Sequence, residues 1–338
     1  MASRVKLRFA GLEVEFADRD RGIRHVYELA EKGTRFPVVV FGPEGCGKTA
    51  WLRQATEILK ENNFDVIYVD PLRKEYAAYT DVKEVVDRIS DVVADVTGYS
   101  PVKLVDVVLL LGNILIKRWR RKRVALLVDE VFQSIGIERA EIYTKMLLNL
   151  IEHPPGDYEK IVAVVTTSEG VSRGRISRHL WADVRPMWNI SRKGFEELYE
   201  ELPSSKPSFE DVWRLAGGNP RVLELLHQLS WSAEKAVEKI VEVKKLKAFV
   251  ALLSADERTW LCEAIENPDT LFTRERMQLL NKLVELNLVV DDVPSRDPDL
   301  WIDEPPPEKD PELGIGRYVA WQTPLHREAV RKVLEMYR

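Results

Sequence analysis

The sequence has two cysteines in 338 residues, Cys46 and Cys262. So few exclude a disulfide-stapled scaffold. Cys46 also lies inside a glycine-rich loop where a structural bridge is out of place, so a reducing, cytoplasmic home is expected. The N-terminus, Met1-Ala2-Ser3-Arg4-Val5-Lys6, lacks the apolar stretch of a secretory signal. No stretch reads as a membrane span. The best candidate, Val107 to Ile116, is about half the length a bilayer crossing needs, and Lys103 and Asp106 stand just before it. The run directly after it, Lys117-Arg118-Trp119-Arg120-Arg121-Lys122-Arg123, reads as the basic end of a buried helix, which suits the helix dipole. An excess of positive charge is missing as well: 50 Lys and Arg oppose 55 Asp and Glu, net −5, so the chain as a whole is not built to coat nucleic acid. No period repeats along the chain, which excludes solenoids and propellers. Glutamine is sparse while 31% of residues are charged, a composition met in heat-adapted proteins.

What is present begins with length. A chain of 338 residues, 45% hydrophobic, has room for two or three domains with a large core. Its organising stretch is Gly42-Pro43-Glu44-Gly45-Cys46-Gly47-Lys48-Thr49. The apolar run Phe36–Phe41 precedes it, and the helical stretch Ala50-Trp51-Leu52-Arg53-Gln54-Ala55 comes after. Strand, glycine loop and helix, with Lys-Thr at the junction, form the phosphate-cradling pattern. Gly42, Gly45 and Gly47 let the backbone curl so that N–H groups point at phosphate oxygens. The helix start adds its positive end. Lys48 is placed for the β- and γ-phosphates and Thr49 for Mg2+. Pro43, Glu44, Cys46 and Ala50 complete the nucleotide-contacting set.

Phe64–Val69 reads as a second strand, ending at Asp70-Pro71. Residues 81–118 carry helical spacing, broken into two helices at Gly98–Pro101. Val124–Val128 is apolar on both faces, as a buried parallel strand is, and ends in Asp129-Glu130. Open α/β sheets bind ligands at the carboxyl ends of their strands. Asp129 is placed to hold Mg2+, and Glu130 to deprotonate the water that attacks the γ-phosphate. Ile161–Val165 ends in Thr166-Thr167-Ser168, hydroxyls suited to hold that water, with Thr167 in the sensor role. Met187-Trp188-Asn189-Ile190 reads as the last core strand. Before it lie Arg173, Arg175, Arg178 and Arg185, candidates for a finger on a neighbour's nucleotide, with Arg185 the choice.

From Ser191 the pattern is helical, interrupted at Gly217-Gly218-Asn219-Pro220. Beyond residue 245 come helical stretches near Leu246–Leu253, Asp256–Ile265 and Thr273–Leu286, the last with Thr273 as its cap. Two strands, Leu288–Val290 and Tyr318–Trp321, then flank a long loop before a closing helix from Leu325. That order is a winged helix. The expected domains are a core over residues 1–190, a helical lid over 191–244 and a winged helix over 245–338. The loop from Asp291 to Glu312 holds nine acids against Arg296 and Lys309, a poor wing for DNA and a fit for a basic protein partner.

The order of the Gly42–Thr49 loop, the Asp129-Glu130 strand and the Thr166-Thr167-Ser168 strand resembles the ASCE-type P-loop ATPases, the group of AAA+ and STAND proteins. Phe16-Ala17-Asp18-Arg19-Asp20 resembles the Phe-x-Gly/Asp-Arg-Glu start of the archaeal ATPase family and of origin-recognition initiators. There that turn lies beside adenine, which implies nucleotide contacts for Asp18 and Arg19. Gly217-Gly218-Asn219-Pro220-Arg221 resembles the lid signature of the family. The resemblance implies that Pro220 packs by the nucleotide and that Arg221 acts as sensor 2. It spans roughly residues 10–230. Ser168-Glu169 departs from the Arg that STAND proteins often carry there, and Asp20-Arg21-Gly22 departs from the second acid of the first motif.

The fold implied is an α/β P-loop NTPase: a five-stranded parallel sheet in the order 5-1-4-3-2 with helices on both faces, a three-helix lid and a winged helix. The expected function is a Mg2+-dependent ATP hydrolase, slow in turnover, acting as a nucleotide-driven switch. The chain lacks the Asn-Lys-x-Asp signature of guanine binders, so ATP is the expected nucleotide. Two other readings remain open: a DNA-binding initiator or loader using the winged helix and Lys117–Arg123, and a scaffold that holds ATP to meet a protein partner.

Overall fold

Every residue of Val38–Phe41 is buried, as a strand inside a parallel sheet must be. The computed structural model describes residues 3–73, 75–94, 101–118, 122–168, 170, 174, 176–203 and 205–337. The chain divides into two units. The first holds Met1–Val5, Asp20–Phe41 and Lys48–Pro186; the second holds Lys6–Arg19, Gly42–Gly47 and Met187–Arg338. Along the chain the strands are β1 (Lys6–Phe9), β2 (Leu12–Glu15), β3 (Val38–Phe41), β4 (Phe64–Asp70), β5 (Glu75–Tyr79), β6 (Lys122–Val128), β7 (Tyr158–Thr167), β8 (Asp183–Pro186), β9 (Val289–Val290) and β10 (Ala320–Trp321).

The first unit is a mostly parallel sheet in the order β5-β4-β6-β7-β3-β8. Its five parallel strands run β8-β3-β7-β6-β4, the expected 5-1-4-3-2. An edge strand, β5, was not foreseen; it pairs antiparallel with β4, Val66 opposite Tyr79. Alternate residues divide the faces. Val39, Ile67, Val69, Val124, Leu126, Val128, Ile161 and Val165 share one core with Val85, Leu111, Leu115, Phe132, Leu147 and Ile151 of the helices Lys83–Ala94, Pro101–Arg118, Val131–Ile135 and Ile137–Glu152. The helices Asp20–Lys32 and Lys48–Glu61 pack together and touch the same sheet. There the Trp51 indole N–H donates to the Gly22 carbonyl at 3.0 Å.

Two features of the first unit differ from expectation. The last sheet strand is Asp183–Pro186, four residues before the expected Met187–Ile190; Val184 pairs with Val39 and Pro186 with Phe41. The more apolar run loses because Trp188 is claimed by a different cluster, with Val293, Trp301, Leu313, Ile315 and Ala320. The basic run does not simply end a helix. Lys122 and Arg123 open β6, where Arg123 donates to Glu159 and to the Asn62 carbonyl. Gly98 and residues 119–121 lie outside the described residues. No described helix is long and apolar enough to cross a membrane.

The second unit opens with the hairpin β1–β2, turned by Ala10 and Gly11, both at positive φ (51° and 83°), the signature of a type I′ turn. Helices Arg192–Glu201, Phe209–Ala216, Pro220–Gln228 and Ala233–Val243 come next, capped by Ser191, Ser208, Asn219 and Ser232. They number four over 191–244 where three were expected. Then come Leu246–Ala251, Ala255–Glu266, Met277–Glu285, the antiparallel pair β9–β10 and the helix Pro324–Glu335. Thr273 caps nothing. The helix starts four residues later, because residues 273–276 form a turn in which the Arg276 N–H donates to the Thr273 carbonyl. The acidic segment is not a free wing. Arg296 donates to the carbonyls of Pro294, Pro307, Glu308, Gly316 and Arg317, and Trp301 is buried in the cluster around Trp188.

Candidate functional site

The Gly42–Gly47 loop belongs to the second unit, which grips it from outside. Gly45 (φ 78°) and Gly47 (φ 103°) take left-handed conformations that side chains resist. A Cβ on Gly45 would fall on the Arg221 Cβ. The Asn219 amide donates to the Glu44 carbonyl at 2.9 Å, and the Arg19 guanidinium to the Cys46 carbonyl at 2.6 Å. In a trans peptide the C=O and the following N–H point in opposite directions. These two grips therefore turn the Gly45 and Gly47 N–H groups away from Asn219 and Arg19. Neither amide has a hydrogen-bond partner among the described residues. Amides presented in this way, on a loop leading into a helix start, form a nest for an anion.

The grips are themselves held. Arg19 is 1% exposed; it pairs with Asp303 at 2.9 Å and donates to the Trp188 carbonyl at 2.7 Å. A buried guanidinium is tolerated because it is paired. Asp18 and Arg19 both have positive φ, and the Asp18 carboxylate accepts from the Ser191 N–H at 2.7 Å and its hydroxyl at 3.0 Å. Asn219 caps the helix that Pro220 begins, accepting from the Val222 N–H. Arg221 covers Gly45 with its Cβ, while its exposed guanidinium meets Glu224 at 2.8 Å. On the far side of the loop, the Glu44 N–H donates to the Gln322 side-chain oxygen at 3.0 Å, and its carboxylate meets Lys244 at 3.1 Å. Cys46, buried, turns its thiol to the Met187 carbonyl.

The first unit, taken by itself, has a strand edge with polar residues of its own. β6, β7 and β3 are parallel neighbours, so their carboxyl ends share one side of the sheet. Beyond β3 begins the helix Lys48–Glu61, with Lys48 buried and Thr49 and Ala50 half-buried in its first turn. Beyond β6 comes Asp129, which is wholly buried. One carboxylate oxygen of Asp129 accepts from the Thr166 hydroxyl; the other is buried with no partner. An orphaned buried carboxylate oxygen is costly, and the environment fits a hard cation. Among the described residues no three His, Cys, Asp or Glu gather as a metal cage. Mg2+ seldom uses one, since it is held by one or two protein oxygens plus phosphates.

Glu130 sits at positive φ (45°), its N–H donating to the Thr166 hydroxyl oxygen at 3.2 Å. Its carboxylate accepts from the Ser168 N–H at 2.9 Å and from the Ser168 hydroxyl. Thr167 is buried opposite Phe41. Asp70, at the end of β4 beside β6, is buried. Burial first, and the Asp129 charge after it, push its carboxyl up to about 6, against the pull of the Arg73 backbone N–H. Arg185 lies in β8 with its Nε 2.8 Å from Asp183. Arg178 is exposed, and Arg173 and Arg175 lie outside the described residues.

Gln322, Lys244 and Asn189 are not among the residues expected at the loop, and Asp303 is expected only as one acid of the 291–312 segment. No local signal marks them, because their partners lie over a hundred residues away. Thr166 was legible as a hydroxyl at a strand end, but its choice of Asp129 was not.

Residues 16–226 match a family described as an ATPase domain predominantly from Archaea. No curated protein matches the chain in sequence. Solved structures similar to it include the Orc1 protein of Aeropyrum pernix in complex with DNA, at 16% identity and TM-score 0.41 over 95% of this chain and 93% of that one. Cdc6p of Pyrobaculum aerophilum is similar at 12% identity and TM-score 0.39, over 94% of each chain. AMPPCP-bound DnaA of Aquifex aeolicus is similar at 16% identity and TM-score 0.37, over 77% of this chain and 75% of that one.

Proposed function

The chain belongs to this predominantly archaeal ATPase family, and on that premise we propose that it binds and hydrolyses ATP as a conformational switch. The observation that carries the reading is the orphaned, buried oxygen of Asp129 on the strand edge that also leads to Lys48 and Thr49. Thr49 and Asp129 would hold Mg2+, which when bound supplies charge neutralisation at the phosphates.

The remaining chemistry belongs to side chains and amides. The N–H groups of Gly45 and Gly47 receive phosphate oxygens, and Lys48 meets the β- and γ-phosphates. Glu130 accepts the proton of the attacking water. Ser168 fixes the orientation of its carboxylate. Thr167 orients that water. Arg221, whose Cβ covers Gly45, would act as sensor 2 by turning its guanidinium from Glu224 to the phosphates, and Asp18 and Arg19 hold the turn beside the loop. Arg185, on β8, would act as a finger on a neighbour's nucleotide. The switch reading rests on the second unit, where residues of 187–338 hydrogen-bond the loop directly, so an anion on the loop acts on that unit without an intermediary.

Residues 245–338, with three helices, a two-stranded sheet and a closing helix, support a winged-helix module. That order favours a second reading, a DNA-binding initiator. The nine acids of 291–312 count against it.

Calorimetric titration with Mg2+-ATP and a phosphate-release assay test the first reading. Lys48→Ala is expected to abolish binding. Glu130→Gln is expected to bind as the native protein does, while turnover falls about a hundred-fold or more. Binding unchanged in Lys48→Ala removes the site, and turnover unchanged in Glu130→Gln removes the base.

A further inference from the structure

Gly42, Gly45 and Gly47 give the phosphate loop no side chains with which to fix itself. Its peptide planes are set by one hydrogen bond within the loop and several from outside it. The Pro43 carbonyl accepts from the Cys46 N–H at 3.2 Å. Asn219 holds the Glu44 carbonyl and Arg19 the Cys46 carbonyl. The Glu44 N–H is held by Gln322 at 3.0 Å. We infer that Gln322 is a positioning residue for nucleotide binding. Its carboxamide sets the Pro43–Glu44 peptide plane, and so the approach to Gly45, in the form that receives phosphate. The inference rests on the reading that this loop binds ATP.

Gln322 is equipped for the task. It is 2% exposed, so water does not compete for its carboxamide. Its backbone is locked at the turn between β10 and the helix Pro324–Glu335. The Gln322 N–H donates to the Leu288 carbonyl at 3.0 Å, and its carbonyl accepts from Asn189 at 2.9 Å. Asn189 in turn accepts from Asn219 at 2.8 Å, the same amide group that holds the Glu44 carbonyl. The N–H and the C=O of Glu44 are therefore both fixed by one connected set of buried amides. A side chain locked by its neighbours holds a loop more firmly than a free one, and a loop held in its bound form binds more tightly because less order remains to be imposed. The bond also gives the C-terminal helix a direct purchase on the loop. The Lys244 to Glu44 ion pair adds a second, more exposed tie from the neighbouring helix end.

The test is ATP titration by calorimetry in the full chain, with thermal melting and amide exchange at Glu44 as second readouts. Gln322→Met keeps the volume and removes the acceptor; Gln322→Glu keeps an acceptor. The methionine variant is expected to bind ATP about five-fold more weakly, with faster exchange at the Glu44 amide. The glutamate variant keeps the acceptor while adding a buried charge, and is expected to keep near-native exchange at the Glu44 amide. Melting is expected to fall in both, from an orphaned Glu44 N–H in one and a buried carboxylate in the other, so exchange at Glu44 and not stability separates the variants. Native affinity and native exchange in Gln322→Met overturn the inference. So does equally fast exchange at the Glu44 amide in both variants, because the acceptor is then irrelevant. Should the native chain bind ATP, Lys48→Ala fail to bind and Gln322→Met match the native chain, only Gln322 loses its role. Should the native chain itself not bind ATP, the functional reading falls, and this inference with it.

Discussion

His326 is buried beside Thr323, whose hydroxyl oxygen lies 2.8 Å from its Nδ1. Burial first, then the Lys244 ammonium, lower its pKa to about 4, while the Glu44 carboxylate works the other way. A depressed pKa favours the neutral ring in the folded state. The stability it contributes is full above pH 6.5, its ordinary value, and is lost as pH falls through 6.5 toward about 4. The loss sums to roughly 3 kcal/mol at about 1.4 kcal/mol per unit. His326→Asn keeps an acceptor near Thr323 and cannot titrate. Urea unfolding at pH 7.5 and at pH 4.5 is expected to give a smaller difference in the variant than in the native protein. Equal differences would mean that the ring is already charged, or reached by water, in the folded state.

At the scale of elements, the loop and the helix Pro220–Gln228 are fitted to each other. Gly45 needs both its positive φ and its missing side chain, because a Cβ there meets the Arg221 Cβ. Gly11, in the β1–β2 turn, has a similar φ but open space around it. Gly11→Ala is therefore expected to cost only the conformational penalty of about 1–2 kcal/mol. Gly45→Ala is expected to cost clearly more and to weaken ATP binding, because either the loop or the first turn of the helix must shift. Melting temperatures and ATP titrations of the two variants decide. Equal costs would show that the packing at Gly45 yields freely.

For the whole molecule, the expected boundary at residue 190 meets an interleaved chain. The second unit draws Lys6–Arg19 and Gly42–Gly47 from the N-terminal part and combines them with Met187–Arg338. A fragment of residues 1–190 would keep the loop but lose Asn219, Gln322 and Lys244. It would also leave Arg19 without Asp303. Breaking a buried ion pair costs about 3–5 kcal/mol, a large part of the stability of a domain. The fragment is expected to lose ATP binding and to elute as aggregate on size exclusion, and the full chain is expected to do neither. A monomeric fragment that binds ATP would mean the loop needs none of its distant partners.

The strand order came from family resemblance; the sequence by itself determined the parallel sheet, the glycine loop and the acids at the strand end. Each of these is written in a few contiguous residues with a period or spacing that physics constrains. Val124–Val128 can only be buried, and three glycines before Lys-Thr can only curl. Tertiary structure alone decided that β8 is Asp183–Pro186 rather than the more apolar Met187–Ile190, since Trp188 had a better-packed destination. It also decided that Arg19 pairs with Asp303, that Thr166 turns to Asp129, and that Gln322 holds Glu44. A hydrogen bond to a partner hundreds of residues away has no local periodicity. It exists only once the chain has brought two buried polar groups within about 3 Å and left them no water to choose instead.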